Sequence, residues 1–303
     1  MLILLKIGTR DSALAIWQAE KVKSLLDEIH IDSEFIFIKS KGDLNTEAPL
    51  HQLGTVGVFT KALDEALLKG EIDIAVHSCK DLPTKEPSGI HYAAYLKRAS
   101  FEDVLVTSGN QTKIPPITTI ATGSIRRKAQ WLHRYPQHKI ENLRGNVNTR
   151  LQKVKDNDWF GAVFAKAGLE RLGYQKLPHI SLNWMIPAPA QGVICIACRK
   201  KDIEIIGRLK TISDLHTEIT SLVERQLLNV LEGGCSAPIG AHAKINDEKI
   251  ELSAVLLNAD GKKRIFKSKT VNISDWQNLG KDLANDILKD GGDAIIAELK
   301  NAR

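Results

Sequence analysis

Ile72-Asp73-Ile74-Ala75-Val76-His77-Ser78-Cys79-Lys80-Asp81-Leu82-Pro83 is the stretch whose reading decides the fold. Ile72 to Val76 is short, apolar and rich in branched residues, as a strand is, and Pro83 punctuates the polar residues that follow. Working back from it, Phe59, Leu63, Ala66 and Leu67 fall at helical spacing and end at Gly70. Residues 44 to 56, with Pro49 and Gly54, read as a mobile loop. Glu34 to Ile38 alternates as a strand and runs into Lys39-Ser40-Lys41-Gly42-Asp43. Before it lies a helix with Leu14, Trp17, Val22, Leu25 and Leu26 on or near one face. Met1 to Leu5 reads as a first strand, left through Lys6-Ile7-Gly8-Thr9-Arg10-Asp11-Ser12. Strand–helix–strand units imply a mostly parallel sheet, whose ligands gather at the carboxyl ends of strands. Arg10, Ser12, Ser78, Lys80 and Asp81 all lie just past such ends.

The pattern then restarts. Residues 108 to 118, with Gly109, Pro115 and Pro116, read as a crossing linker. A strand around Ile120 leads through Ala121-Thr122-Gly123-Ser124 into the helix Ile125-Arg126-Arg127-Lys128-Ala129-Gln130-Trp131. Another strand ends at Asn142-Leu143-Arg144-Gly145-Asn146, and a helix over 147–156 carries Arg150. Ala162 to Ala165 is a strand before Gly168-Leu169-Glu170-Arg171, and Pro187 and Pro189 mark the way out. Val193 to Ala197 is apolar enough for a buried strand that can return to the first sheet. From about residue 214 the chain reads as a small α+β domain. A helix carries Ile219, Leu222, Val223, Leu227, Val230 and Leu231, and hairpin-like strands turn at Asn246-Asp247 and Asp260-Gly261. A last helix has Ser274 as its N-cap, with Trp276, Leu279, Leu283 and Ile287 inward. No internal repeat of fixed period is visible.

Leu231-Glu232-Gly233-Gly234-Cys235-Ser236-Ala237-Pro238-Ile239-Gly240 closes the first helix of that domain. Two glycines stop the helix, so Cys235 falls on a tight loop between Gly234 and Pro238, where a thiol is reachable. By itself it reads sooner as a loop cysteine without a role than as a functional thiol. Cys195-Ile196-Ala197-Cys198 is apolar and strand-like, and residues three apart on a strand face opposite ways. No second pair with ligand spacing accompanies it, so buried structural thiols and no metal site are expected. Four cysteines, counting Cys79, are too few and too clustered for a disulfide scaffold.

The net charge of +6 and a pI near 9.0 point to an anionic partner, and 43% apolar residues suffice for ordinary cores. At 303 residues, about two domains are expected. Lys6 breaks the apolar opening too early for a signal peptide or a span, and no later run reaches membrane length. A cytoplasmic protein without a membrane partner is expected. Gly54-Thr55-Val56-Gly57 fits neither a Walker loop nor a dinucleotide fingerprint.

Arg126 and Arg127 open a helix, where each cation opposes the dipole at a cost of about 0.3–1 kcal/mol. Free backbone N–H groups there favour an anion. With Arg144, Arg150 and Arg171 in the same stretch and Arg10 in the first, they read as a surface for a polycarboxylate or polyphosphate. Lys262-Lys263-Arg264 reads instead as solvated turn residues, and His77 as a core group. Asp81 has two readings: a turn cap, or a carboxylate in a basic cleft that stabilises a cation or shuttles a proton.

Taken together, Gly8-Thr9-Arg10-Asp11-Ser12-Ala13-Leu14-Ala15, Val76-His77-Ser78-Cys79-Lys80-Asp81-Leu82-Pro83, Leu143-Arg144-Gly145-Asn146, Ala167-Gly168-Leu169-Glu170-Arg171-Leu172 and Glu232-Gly233-Gly234-Cys235 resemble the porphobilinogen deaminase (hydroxymethylbilane synthase) family. The resemblance runs essentially end to end. It implies an α/β fold with two periplasmic-binding-protein-like α/β domains around a cleft and a small C-terminal α+β domain. The boundaries it implies are 1–97 with 192–212, 98–191, and 213–303, the last carrying the cysteine loop. It implies a transferase that deaminates and joins four porphobilinogens in turn on a dipyrromethane covalently held by Cys235, then releases hydroxymethylbilane by hydrolysis. Asp81 would be the catalytic carboxylate, stabilising the azafulvenium cation left by ammonia and managing pyrrole N–H protons. Lys80, Ser124, Arg126, Arg127 and Arg144 would hold the cofactor, and Arg10, Ser12, Phe59, Ser78, Arg150 and Arg171 the substrate. A monomer is implied, with its product passing to uroporphyrinogen-III synthase. The chain departs from the family pattern at Thr55-Val56-Gly57, Ala62, Cys79 and Thr122-Gly123-Ser124.

Two other classes fit part of the sequence. A solute-binding protein for polycarboxylates would share the two-domain cleft but would need no Cys235 loop and usually carries an export signal. A nucleic-acid binder would explain the charge, yet aromatic residues make up only 5% and no recognition motif is present.

Overall fold

A computed structural model describes residues 4–39, 60–232 and 237–301. Contacts divide the chain into two units, Met1–Ala99 with Gly192–Glu218, and Ser100–Gln191 with Ile219–Arg303.

The first unit holds β1 (Leu5–Thr9), β2 (Ser33–Phe37), β3 (Ile74–Ser78), β4 (Ile90–Tyr95) and β10 (Ile194–Arg199), in the order β2-β1-β3-β10-β4. β1 runs parallel to β2 and β3, with Ile7 opposite Phe35 and Ile74, while β10 is antiparallel to both its neighbours. Helix Ala13–Glu28 lays Ala19, Val22 and Leu26 on the sheet, against Leu5, Ile7, Ile74, Val76, Ile194 and Ile196. A fully buried Leu or Ile is worth about 1.5–3 kcal/mol, so this layer fixes the sheet.

Two strand boundaries differ from those read in the sequence. β1 extends to Thr9, so Lys6 to Thr9 belong to the strand and do not lead out of it, because Ile7 is a core residue. β3 likewise runs on through His77 and Ser78, which pair with Cys195 and Ile194 of β10. The return of residues 193–197 to the first sheet is observed.

The second unit repeats this order. β5 (Asp103–Thr107), β6 (Thr119–Ala121), β7 (Lys139–Glu141), β8 (Gly161–Ala165) and β9 (His179–Ser181) form the sheet β7-β6-β8-β5-β9. β6 is parallel to β7 and β8, and β5 is antiparallel to β8 and β9. β5 thus stands here where β10 stands in the first sheet. Each is the strand made just after the chain enters its unit from the other. Residues 108 to 118 therefore join β5 to β6 within one unit and are not the crossing, which falls at Ala99–Ser100.

The remaining part of the second unit is an antiparallel sheet, β11 (Ile239–Asn246), β12 (Lys249–Leu257) and β13 (Arg264–Asn272), under the helices Leu215–Glu232, Leu279–Ile287 and Asp293–Asn301. Val223, Leu227, Leu231, Leu252, Ala254, Leu279, Leu283 and Ile287 make its core. Ser274 is not a helix N-cap: Ile273–Asn278 is a 3-10 turn, the helix starts after Asn278, and the Ser274 hydroxyl donates to Asp275. Trp276 packs against this core, as the inward reading required.

Candidate active site

In the first unit, the carboxyl ends of β1 and β3 deliver Arg10 and Ser12, and Ser78, Lys80 and Asp81. Ser12 caps helix Ala13–Glu28, its hydroxyl accepting from Ala15 N at 3.4 Å. Ser78 is held by Gln18, whose Nε2 lies 2.8 Å from its Oγ. Beyond Ser78 the chain makes a 3-10 turn over Cys79–Asp81, and Leu82 is extended, as the residue before a proline prefers. Cys79 N donates to Val193 O, pinning the turn to the lead-in of β10. Cys79 is buried beneath, and Asp81 is left exposed. His77, just before the turn, is buried; burial first, then the Arg10 charge, lowers its pKa to about 3, so it is a neutral core group.

In the second unit, the carboxyl ends of β6, β7 and β8 deliver the remaining residues. Ser124 caps helix Ile125–Arg134, accepting from Arg127 N at 3.4 Å. Gly123 has no room for a side chain, since a Cβ there would collide with the Leu143 carbonyl oxygen. Arg126 and Arg127 turn inward, not into solvent. Between them lies Asp103, the first residue of β5, fully buried. Asp103 Oδ1 accepts from Arg127 Nη2 at 2.8 Å, Arg127 Nε at 3.1 Å and Gln191 Nε2 at 2.9 Å. Asp103 Oδ2 meets Arg126 Nη1 at 2.8 Å. Burial pushes the Asp103 carboxyl up, but the two guanidiniums outweigh it and hold it well below the usual carboxylate range. Arg127 Nη1 donates to Val163 O, so each of its nitrogens has an internal acceptor. Arg126 Nη1 also donates to Ile186 O at 2.7 Å.

Arg144 differs from this pair. It lies between β7 and helix Val147–Asp156, is 7% exposed, and its side chain has no hydrogen bond or ion pair among the described residues. Burial alone lowers its pKa. Next to it Gly145 adopts a φ of 109°, a conformation that favours glycine, and its carbonyl accepts from Arg150 Nε at 2.7 Å. Arg171 ends helix Lys166–Arg171; burial lowers its pKa to about 10 against the opposing charge of Glu170.

The second unit thus gathers Ser124, Arg126, Arg127, Arg144, Arg150 and Arg171 on one sheet, and the first unit Arg10, Ser12, Ser78, Lys80 and Asp81 on another. Phe59 and Cys235 lie outside the described residues. Asp103 and Gln191 were not singled out in the sequence; the one signal was an acid opening the apolar run Val104-Leu105-Val106. Among the described residues no group of three or more His, Cys, Asp or Glu is placed to hold a metal ion.

Residues 5–207 match the family model "Porphobilinogen deaminase, dipyromethane cofactor binding domain", and 218–289 match "Porphobilinogen deaminase, C-terminal domain". The chain belongs to the porphobilinogen deaminase family. The porphobilinogen deaminase of Desulforamulus reducens is 37% identical over 300 residues, covering 97% of each chain. That of Campylobacter hominis is 37% identical over 299 residues, 96% of this chain and 97% of the relative. That of Chloroherpeton thalassium is 36% identical over 304 residues, 97% of each. Substrate-binding domain 2 of Lactococcus lactis GlnP is 10% identical, with a TM-score of 0.43, covering 70% of this chain and 88% of that one. The first family model places a dipyrromethane cofactor on the part of this deaminase that carries both sets of strand-end residues.

Proposed function

We propose that the chain deaminates four porphobilinogens in turn, joins them head to tail and releases hydroxymethylbilane by hydrolysis, as a transferase of tetrapyrrole biosynthesis. The observation that carries this reading is Arg144: a buried guanidinium with no anion beside it among the described residues is a costly group unless an external carboxylate meets it. Porphobilinogen and a dipyrromethane built from it carry an acetate and a propionate on each pyrrole ring. The residues present therefore fit the cofactor.

The dipyrromethane, when bound, supplies the pyrrole carbon to which the incoming unit is joined. Cys235 is its proposed anchor. The other cysteines support this, since Cys79, Cys195 and Cys198 are each fully buried and burial pushes the Cys198 thiol up to about 11. Lys80, Ser124, Arg126, Arg127 and Arg144 form the set for cofactor carboxylates, and Arg10, Ser12, Phe59, Ser78, Arg150 and Arg171 that for the substrate's. Asp81, exposed on its turn, offsets the cation that forms on porphobilinogen as ammonia leaves and accepts pyrrole N–H protons. Gln18 keeps Ser78 in one orientation beside that turn.

The reading extends to a division into 1–97 with 192–212, 98–191 and 213–303, to a cytoplasmic monomer, and to transfer of the product to uroporphyrinogen-III synthase. Among the described residues no helix is long and apolar enough to cross a membrane. Incubation of the purified chain with porphobilinogen, following ammonia and hydroxymethylbilane together, tests the proposal. Absence of both products from a folded chain overturns it.

A further inference from the structure

The pair Arg126-Arg127 opens one helix, and the sequence gives no reason to treat its members differently. The structure does. Asp103 faces both, yet Arg127 spends Nε and Nη2 on it and Nη1 on the Val163 carbonyl. Arg126 spends only Nη1, on Asp103 Oδ2 and Ile186 O, and its Nε and Nη2 make no hydrogen bond among the described residues. The three side chains are fully or almost fully buried and together carry two positive charges and one negative. One positive charge is left over.

We infer that Asp103 and Arg127 are positioning residues: Arg127 gives Asp103 two hydrogen bonds and Val163 O its third nitrogen, whereas Arg126 keeps Nε and Nη2 for an incoming carboxylate drawn by the one surplus positive charge. Arg127 does not touch that carboxylate. This rests on the proposed function of the site, and it moves Arg127 from the cofactor-binding set to the framework behind it. Gln191 contributes by donating from Nε2 to both Asp103 Oδ1 and the Phe101 carbonyl.

Charge counting makes the inference testable. In Arg127→Met the carboxylate of Asp103 has only Arg126 to pair with, and the cluster becomes neutral. In the double variant Asp103→Asn/Arg127→Met the carboxylate is gone and Arg126 regains a net positive charge. Both variants change a buried pair, so melting temperatures move whichever reading holds. The deciding measurement is made on folded, full-length chain prepared without cofactor. It is the porphobilinogen concentration giving half-maximal dipyrromethane incorporation, read by intact mass. The inference expects that concentration to rise roughly tenfold in Arg127→Met, the loss of about one charge-assisted hydrogen bond, and to return to within about threefold of wild type in the double variant. If both variants stay weak, Arg127 contacts the carboxylate itself and the inference is overturned. If neither changes, the cluster serves folding alone and the inference is overturned as well. Failure of the wild-type chain to gain any mass counts against the proposed function, not against the division of the pair.

Discussion

Removing the charge of Arg144 is expected to act in opposite directions on the empty and the loaded chain. The side chain is 7% exposed, and among the described residues it has no hydrogen bond or ion pair. An unsatisfied buried donor costs about 1–3 kcal/mol, and the uncompensated charge adds to that. Arg144→Met keeps much of the length and removes both terms. The cofactor-free variant should therefore melt about 2–6 °C higher than the cofactor-free wild type, taking roughly 2 °C per kcal/mol for a chain of this size. With cofactor bound the order should reverse, because wild type then satisfies the guanidinium and the variant cannot. Paired scanning-calorimetry runs on the two proteins, each with and without dipyrromethane, read all four values. A variant that melts lower than wild type when empty refutes the reasoning, since Arg144 would then be stabilising the fold through contacts of its own.

Asp81→Asn should lower turnover by about 10²–10³ while the cofactor stays attached and the melting temperature holds, because the side chain is exposed; Asp81→Glu should retain more activity. Near-wild-type turnover in Asp81→Asn removes the catalytic assignment. Cys235→Ser should abolish the mass increment of one dipyrromethane, and peptide mapping that finds the adduct on Cys79, Cys195 or Cys198 excludes Cys235. His77, with its pKa lowered to about 3 by burial and by Arg10, should make stability pH-dependent. Between the unfolded value near 6.5 and the folded value the unfolded chain binds the extra proton, so stability is full above that window and falls with falling pH at up to about 1.4 kcal/mol per unit. His77→Gln should flatten that slope in urea titrations run across the window, and an unchanged slope sinks the assignment.

Much of the site was legible because it obeys local rules. Residues just past apolar strands were expected at the carboxyl ends of a parallel sheet, and Arg10, Ser78, Lys80 and Asp81 stand there. The inward face of the helix after Ser274 was legible from its spacing, but the 3-10 turn that displaces the cap was not, because it breaks the 3.6-residue period. Strand ends were blurred where a core residue continues the pairing, as Ile7 does in β1. The partner of the arginine pair was invisible for a different reason. Asp103 lies 24 residues from Arg127 and 88 from Gln191 in sequence, and no periodicity links positions brought together by tertiary folding. The shared order of the two sheets was only half legible: the returning strand β10 could be read from its apolar run, whereas its counterpart β5, antiparallel between β8 and β9, could not.

That hidden pairing bears on how a deaminase can run cation chemistry among arginines. A guanidinium beside a developing cation raises its energy, so a carboxylate close to that cation has to offset it. Asp81 is the candidate on the first sheet, where Arg10 and Lys80 stand with it, and most of the site arginines follow strands of the second. Asp81 follows β3 in the first unit, on a short turn whose backbone is fastened to Val193 O. Arg126, Arg127 and Arg144 follow β6 and β7 in the second, where Asp103 cancels one of their charges from within. Without Asp103 the arginine sheet would carry one more buried positive charge and bind any polyanion more tightly. With it, the three buried groups Asp103, Arg126 and Arg127 carry one net positive charge and not two, so the pair draws a carboxylate without holding every polyanion it meets.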